Sequence, residues 1–268
     1  MQSSRGPAER GGSVWLSIVV IGRNEGKTLP ALFQSLPGGR DVERIFVDSL
    51  STDGSVEIAL EHGIKVYSLE EDPLLCPASG RYAGTLEAKG KWVLYLDGDM
   101  VLQREFYSFL ERLREEEGEL PAQAAGFVGK TRSYFMDEQG DIVSTVDNVC
   151  LPALFSGREG PWGKAADYHG GAVLYLRELV LQAGNWNPAV SMLEEIDLYS
   201  RIRGLGFHIR ALPLPMADHY TALLPLKKKL ERNFWPWMKK GAYPGPNQLL
   251  RSRLRQKNLG NLIRFYPG

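Results

Sequence analysis

A regular alternation of short apolar segments and helical segments, from Ser13 to Met100, constrains the fold of this chain most strongly. Aperiodic, β-branched runs such as SVWLSIVVIG are typical of buried parallel strands, whereas NEGKTLPALFQSL places its apolar residues at helical spacing. The pattern predicts strands within SVWLSIVVIG, VERIFVDS, IKVYSL and KWVLYL, and helices within NEGKTLPALFQSL, STDGSVEIALEHG and ASGRYAGTLEAKG. Strands joined by helices require crossover connections, so we expect an α/β fold with a mostly parallel central sheet flanked by helices.

Two aspartates, Asp97 and Asp99, directly follow the fourth predicted strand in KWVLYLDGDMVL. In an extended chain, residues i and i+2 point to the same face, so the two carboxylates are expected to lie close together. Two ionised carboxylates about 4 Å apart repel by roughly 4 kcal/mol at an effective dielectric constant of ~20. The pair therefore needs solvent, a shared proton or a bound cation. Ligands of parallel sheets bind beyond the carboxyl ends of the strands, where Asn24 and Asp48 are also expected.

The pattern changes after the predicted helix REFYSFLERLREEEGEL. The segments AAGFVGKTRSYF, DIVSTV, GAVLYLR and FHIRALPL are typical of strands, and MLEEIDLYSRIRGLG is typical of a helix that ends at glycines. A long glycine-rich loop, PALFSGREGPWGKAADYHGG, lies between these elements. We expect the globular part to end with FHIRALPL.

Charge is distributed unevenly along the chain. The whole sequence has 32 Lys and Arg and 32 Asp and Glu residues, but residues 227–268 contain eleven bases and a single acid, a net charge of +10. Basic helices with interleaved aromatic residues are typical of anionic membrane surfaces, although a solvated helical face or an oligomer contact are alternatives. No nucleic-acid-binding motif is present, so we expect no nucleic-acid partner.

These features also predict the chain's organisation and location. We expect residues 1–12 to be a disordered lead-in and residues 221–268 to be a basic amphipathic helical tail, with 227–264 on the membrane. Two cysteines do not form a disulfide framework, which favours a reducing compartment. We therefore expect a cytoplasmic protein that is peripheral on the inner face of the membrane.

Four segments, in order, resemble motifs of the family 2 glycosyltransferases. SIVVIGRNEGKTLP is similar to that family's opening strand and helix, and VDSLSTDGS is similar to its VDDGSTDGT segment. SGRYAG with AKGKWVLYLDGDM resembles its ARNxG and LDxD block, and EEIDLYSRIRGLG resembles its EDxDLxxRxxxxG helix. The resemblance implies the GT-A fold, with a catalytic domain at 13–220 that has a nucleotide-binding half at 13–102 and an acceptor half at 103–220.

The same resemblance implies an inverting, metal-dependent glycosyltransferase. The enzyme would move a sugar from a nucleotide-sugar donor, UDP-linked, to a hydroxyl of a glycan or a lipid-linked acceptor. A cation, Mn²⁺ or Mg²⁺, would be held by Asp99, Asp97 and His219, and would neutralise charge on the departing diphosphate. Gly98 would let the backbone approach the donor.

Donor recognition is implied for residues at four places along the first half. The residues assigned to the nucleotide by the resemblance are Arg23, Asn24, Glu25, Asp48, Arg81, Asp97 and Gly98. Asp48 would accept a hydrogen bond from a base N–H, or would cap a helix, and Arg81 would bind a phosphate, or would be a surface residue. Asp53 is more typical of a helix start than of a nucleotide contact.

Catalysis is implied for the acidic start of the EEIDLYSRI helix. By alignment with the family motif the general base is Glu195, where the family has the shorter Asp, and Glu194 and Asp197 are further candidates. A base must reach the acceptor hydroxyl in its unprotonated form. Outside this helix, Trp162 and Trp186 either line the cleft or fill the core, and His169 is a candidate for contact with substrate.

Two other functions fit parts of the sequence. The segment LYLDGDMV is similar to the DxDx[T/V] motif of phosphatases and phosphotransferases, in which the first aspartate attacks phosphorus. A partner protein that binds a nucleotide sugar without turnover is a further alternative. A dehydrogenase is disfavoured, because no G-x-G-x-x-G follows the first strand.

Overall fold

The computed structural model describes residues 13–70, 75–148, 160–165, 170–190, 193–223 and 263–266. Strands and helices alternate through the first half of the chain, as the sequence predicts. The elements of this half are β1 (Leu16–Gly22), α1 (Leu29–Gln34), β2 (Val42–Asp48), α2 (Ser55–Glu61), β3 (Lys65–Leu69), α3 (Pro77–Glu87) and β4 (Trp92–Asp97).

The second half has longer strands and fewer helices. Its elements are β5 (Met100–Leu102), α4 (Arg104–Glu115), a 3-10 turn (Glu117–Glu119), β6 (Ala124–Met136), β7 (Ile142–Asn148), β8 (Lys164–Ala165), β9 (Val173–Leu176), α5 (Arg177–Gln182), α6 (Glu194–Gly204), β10 (His208–Ala222) and β11 (Ile263–Tyr266). Each strand and helix predicted between residues 104 and 214 is present within five residues of its expected bounds, except at the end of β10.

All strands join one mixed sheet, in the order β11-β3-β2-β1-β4-β9-β6-β10-β5, with β7 paired to β6 and β8 to β10. The four strands of the first half are parallel to one another, as predicted. Strand β9 is antiparallel to both β4 and β6, and β10 is parallel to β6. The carboxyl ends of β1, β2, β4, β6 and β10 therefore lie on the same side of the sheet.

The core forms around the parallel strands, which are buried on both faces. Helix α3 packs on β1 and β2. The approach is close enough that a Cβ added to Gly84 would lie 2.3 Å from Cγ1 of Val19. Trp162 and Trp186 are 5% and 1% exposed, so they fill the core rather than line a cleft.

A buried carboxylate, Glu43, ties β2 to the loop before β4. It accepts hydrogen bonds from Ser17 Oγ at 2.6 Å, from the Lys89 backbone N–H and from Lys65 Nζ at 3.1 Å. Burial alone would raise the pKa of Glu43, but these hydrogen bonds outweigh it and lower the pKa. Glu43 is therefore expected to stabilise the fold in its ionised form.

Two features differ from the sequence-based expectations. Strand β10 continues to Ala222 because its second half pairs with β6, so His219 lies within a strand instead of beyond the last one. Ile263–Tyr266, expected within a helical tail, pairs antiparallel with the otherwise open edge of β3. Residues 224–262, which contain most of the predicted tail, and the lead-in lie outside the described residues. None of the described helices is both long enough and apolar enough to span a bilayer.

Candidate active site

The candidate site lies at the carboxyl ends of β1, β2 and β4. The register pairs Gly22 with Asp48 and Ile21 with Asp97, which brings the ends of the three strands together. The Gly98 backbone N–H donates to the Ile21 carbonyl at 2.8 Å and turns the chain after β4. The predicted acidic pair at the end of β4 is therefore held against the end of β1.

Asp97 is held tightly at this edge. Its Oδ1 accepts a hydrogen bond from Arg81 Nη2 at 2.7 Å. A Cβ on Gly171 would lie 2.1 Å from its Oδ2, so only glycine fits against the carboxylate there. Burial raises the pKa of Asp97 even though Arg81 opposes it, and the charge of Asp99 raises the pKa further.

Arg81 connects the acidic pair to helix α6. Its side chain is 1% exposed, and its Nη1 donates to Glu194 Oε1 at 2.6 Å. Its guanidinium lies 5.0 Å from the centre of the Trp186 ring. Both terminal nitrogens of Arg81 thus bind carboxylates of the protein. Arg81 is not a surface residue, and its contact with a donor phosphate stays a prediction.

The three acids at the start of α6 have different surroundings. Glu194 is buried against Arg81, and Asp197 pairs with Arg201 at 2.6 Å one turn along the helix. Glu195 is partly exposed, and its carboxylate accepts a hydrogen bond from its own backbone N–H. Burial raises the pKa of Glu195, Arg81 opposes this rise and Glu194 adds to it. A carboxylate with a raised pKa and no bound cation is suited to accept a proton.

Asp99 and His219 form the part of the site best suited to a cation. Asp99 Oδ2 and His219 Nε2 are 3.0 Å apart, and the two side chains are 20% and 28% exposed. Burial tends to lower the pKa of His219, but the hydrogen bond to Asp99 and the charges of Asp99 and Asp97 outweigh it and raise the pKa. On the other side of the ring, Ser133 Oγ lies 3.5 Å from Nδ1.

These donors fit a divalent cation that completes its coordination with substrate. Among the described residues no group of three or more His, Cys, Asp and Glu side chains has the geometry of a metal cage. Mg²⁺ and Mn²⁺ sites that bind nucleotides commonly use one or two protein ligands, with phosphate oxygens and waters as the others. Asp99 and His219 provide such a pair, whereas one oxygen of Asp97 is already bound by Arg81.

A network of loops surrounds the predicted nucleotide residues. Asn24 has a left-handed backbone (φ 59°); its N–H donates to Ser51 Oγ, and its Oδ1 accepts from the Thr52 N–H, each at 2.8 Å. The Glu25 N–H donates to Ser55 Oγ at 3.0 Å, so the loops after β1 and β2 are joined. Arg23 is exposed beside this network.

Asp48, Asp53 and Gly98 have structural contacts that the sequence only partly indicates. Asp48 is buried and accepts hydrogen bonds from the Ser51 N–H at 3.1 Å and from Ser68 Oγ at 2.9 Å. Asp53 accepts from the Ser55 N–H at the start of α2, in agreement with a helix-start role, and also from the Gly26 N–H. A Cβ on Gly98 would lie 2.9 Å from Cγ of Glu25, so this glycine is required by packing within the protein.

The family model for glycosyl transferase family 2 matches residues 17–182, a segment that contains the acidic pair and the loops around it. The chain belongs to glycosyl transferase family 2. This membership confirms the glycosyltransferase class and, with the sheet order, the GT-A fold expected from the motifs. No curated protein matches this chain.

Solved structures with the same fold include several glycosyltransferases. S. aureus TarS is 17% identical over 77% of this chain and 37% of its own, with a TM-score of 0.57. TarS residues 1–349 in complex with UDP-GlcNAc give 16% identity over 77% and 58% of the two chains, with a TM-score of 0.56. GalNAc-T7 with UDP, GalNAc and Mn²⁺ gives 18% identity over 78% and 44%, with a TM-score of 0.58. This family 2 chain thus spans between about a third and three fifths of the length of these proteins.

Sequence reasoning missed several residues of this family 2 site. Gly171 was only the end of a loop, Ser51 and Ser55 were only helix-start residues, and Ser133 carried no signal at all. The STDGS segment was a usable signal for the serines, because hydroxyls after a strand often bind neighbouring backbone. Contacts of Gly171 and Ser133 depend on strands far apart in sequence. His169 lies outside the described residues.

Proposed function

We propose that this chain is an inverting glycosyltransferase that moves a sugar from a UDP-sugar to a hydroxyl of a glycan or lipid-linked acceptor. The observation that carries the proposal is that Asp97, Asp99 and His219 meet at one edge of the sheet, and that Glu195 lies close enough to Arg81 and Asp97 to feel their charges. The UDP and UDP-sugar bound in the related TarS structures, and the UDP in GalNAc-T7, support the choice of uridine.

Asp99 and His219 would hold the cation, Mn²⁺ or Mg²⁺, with Asp97 beside it. The cation would neutralise charge that develops on the diphosphate as it leaves. Arg81 keeps the Asp97 carboxylate in place, and the turn at Gly98 fixes the distance between the two aspartates along the backbone. The Mn²⁺ in the GalNAc-T7 structure supports a divalent ion without selecting between the two metals.

Glu195 would accept the proton of the attacking hydroxyl. Its two acidic neighbours are poorly placed for this step, since Glu194 is bound by Arg81 and Asp197 by Arg201. Direct attack from the side opposite the leaving diphosphate inverts the anomeric carbon. Glu195 is therefore the group whose loss should remove turnover while nucleotide binding remains.

The uridine would bind along the loops after β1 and β2. Asn24 and Glu25 lie in the network that joins these loops, and Arg23 is exposed next to it. Asp48 would contact the base only through the lone pairs that Ser51 and Ser68 leave available.

The phosphatase alternative fits this geometry less well. In that reaction Asp97 would have to attack phosphorus, but Arg81 binds its Oδ1 and the Gly171 backbone crowds its Oδ2. A non-catalytic nucleotide-sugar binder has the same donor site, so only a turnover measurement separates it from the proposed enzyme.

The test is release of UDP from a panel of UDP-sugars, with added oligosaccharides as acceptors, measured with Mn²⁺, with Mg²⁺ and with a chelator. We expect UDP release only with metal, and its loss in Glu195→Gln, which should still bind UDP and Mn²⁺ in calorimetry. Thr145→Ala, a change on an exposed strand outside the site, is the matched control. Phosphate release from an aryl phosphate would support the phosphatase, and nucleotide binding without turnover in the parent protein would support the binder.

The basic segment 227–264 is proposed to hold the enzyme on the cytoplasmic face of an anionic membrane. Each Lys or Arg near such a surface is worth about 1 kcal/mol, so the charge of this segment is sufficient for peripheral binding. Co-sedimentation with vesicles that contain phosphatidylglycerol, but not with phosphatidylcholine vesicles alone, is the expected result. Equal sedimentation with both would contradict the proposal.

A further inference from the structure

The longest strands of the sheet extend beyond the active-site edge. Strand β6 has 13 residues and β10 has 15, compared with 7 in β1 and 6 in β4. The Tyr220 N–H donates to the Asp99 carbonyl at 2.8 Å, so the residues of β10 that follow Tyr220 lie beyond the acidic pair, Asp97 and Asp99. With β7 attached to β6, these strands form an overhanging surface next to the site.

The pairing register determines which side chains lie on the site face of this surface. His219 is paired with Ser133, and Ser133 with Val146, so the three form one row across β10, β6 and β7. The 3.5 Å distance between Ser133 Oγ and His219 Nδ1 shows that this row is on the same face as the active site. Directly paired residues in a sheet point to the same face.

The next row on the same face lies farther from the reacting centre. Thr221 is paired with Phe135, and Phe135 with Ser144. Because residues i and i+2 are about 7 Å apart along a strand, this row lies roughly one sugar ring beyond His219. It places an aromatic ring between two hydroxyl-bearing side chains, with the half-exposed Val146 beside it.

The opposite face is different, because its side chains bind one another. Tyr134 and Tyr220 stack with ring centroids 5.0 Å apart, and Arg132 pairs with Asp147 at 2.6 Å. Among the described residues no aromatic ring stacks on Phe135, which is only partly buried. The site face therefore presents an aromatic surface that is available to a ligand, whereas the far face is satisfied within the protein.

We propose that Phe135, Ser144, Thr221 and Val146, here called the hairpin platform, bind the sugar ring of a glycan acceptor next to the ring that carries the reacting hydroxyl. Phe135 would stack on the apolar face of that ring, and the hydroxyls of Ser144 and Thr221 would hydrogen-bond its substituents. Alternation of hydroxyl and aromatic side chains favours a carbohydrate over a lipid chain, which would require a continuous apolar surface. The inference rests on the proposed function and names the acceptor class for the same site.

The test is direct binding of oligosaccharides, which does not depend on turnover. Saturation-transfer NMR and calorimetry with cellohexaose, chitohexaose and maltohexaose should detect binding of at least one to the intact chain. Phe135→Ala and Phe135→Leu should each weaken that binding about tenfold, which corresponds to 1.4 kcal/mol, whereas Phe135→Trp should retain it. Thr145→Ala, an exposed change on the far face of β7, where Thr145 is paired with Tyr134, should have no effect.

The outcomes separate the platform from the proposed function. Equal binding by Phe135→Ala and the parent protein, retention of binding in Phe135→Leu, or no binding of any of the three oligosaccharides would overturn the platform. UDP and Mn²⁺ titrations on the parent protein report on the donor site independently. Loss of oligosaccharide binding with an unchanged thermal unfolding midpoint in Phe135→Ala would support the platform even if no donor were turned over.

Discussion

Replacing Arg81 by Gln tests whether this residue is the main structural connection between the acidic pair and helix α6. The substitution keeps a polar side chain of similar length but removes the positive charge. In the parent protein the guanidinium binds Glu194 at 2.6 Å and Asp97 at 2.7 Å. After substitution both carboxylates lose their cation while they remain in the same place.

The expected loss of stability follows from the burial of these groups. The side chains of Arg81 and Glu194 are 1% and 6% exposed, whereas Asp97 is 31% exposed and retains part of its hydration. Breaking a fully buried ion pair by removing one partner costs about 3–5 kcal/mol. Because only the Glu194 contact is buried at both ends, we expect Arg81→Gln to lower the free energy of unfolding by about 3 kcal/mol.

Urea unfolding at neutral pH measures this loss, and an exposed ion pair provides the matched control. Arg132 and Asp147 are 52% and 69% exposed and 2.6 Å apart, so Arg132→Gln should have little effect on the free energy of unfolding. A double-mutant cycle between Arg81→Gln and Glu194→Gln should give a coupling energy of about 1–3 kcal/mol. A loss no larger than that of Arg132→Gln, or additive effects in the cycle, would refute the assigned role of Arg81.

The acidic pair could be predicted because its signal is local. The apolar run of β4, the turn at Gly98 and the two aspartates are adjacent in sequence, and the preceding alternation places them at the carboxyl edge of a parallel sheet. The partner of Arg81 could not be predicted in the same way, because Glu194 is 113 residues away in sequence. The resemblance to the family motif identified Arg81 as functional but could not determine whether it binds phosphate or protein.

In the second half of the chain, the end of strand β10 could not be predicted for the same reason, because it depends on residues distant in sequence. FHIRALPL has the composition of a buried strand, but the following MADHYT does not, because its side chains alternate between the site and the far face. Pairing with β6 keeps this polar segment extended and places His219 beside Asp99. The register between strands this distant in the chain depends on tertiary contacts. The sequence could therefore suggest His219 as a metal ligand, but it could not show that pairing with β6 places it beside Asp99.

Three further predictions concern the site and the fold. Gly171→Ala should reduce kcat/KM for the donor at least tenfold because its Cβ would displace the Asp97 carboxylate, whereas Gly170→Ala, whose added Cβ has no atom of the described residues within 4 Å, should retain activity; equal rates for the two variants would contradict this. Glu43→Gln should lower the free energy of unfolding at pH 7 by about 2 kcal/mol. Because the pKa of Glu43 is lowered in the folded state, this difference should be fully present above the unfolded value of about 4.3 and should be lost as pH falls from there through the lower folded value. A difference constant with pH would be inconsistent with this reasoning. Finally, burial raises the pKa of Glu195, and a base acts only when unprotonated, so kcat/KM should fall with decreasing pH at a higher pH than an ordinary glutamate would produce. A pH–rate profile that stays flat down to about pH 4.3 would show that Glu195 is not the proton acceptor, since the charge state of the base must control the rate of proton removal.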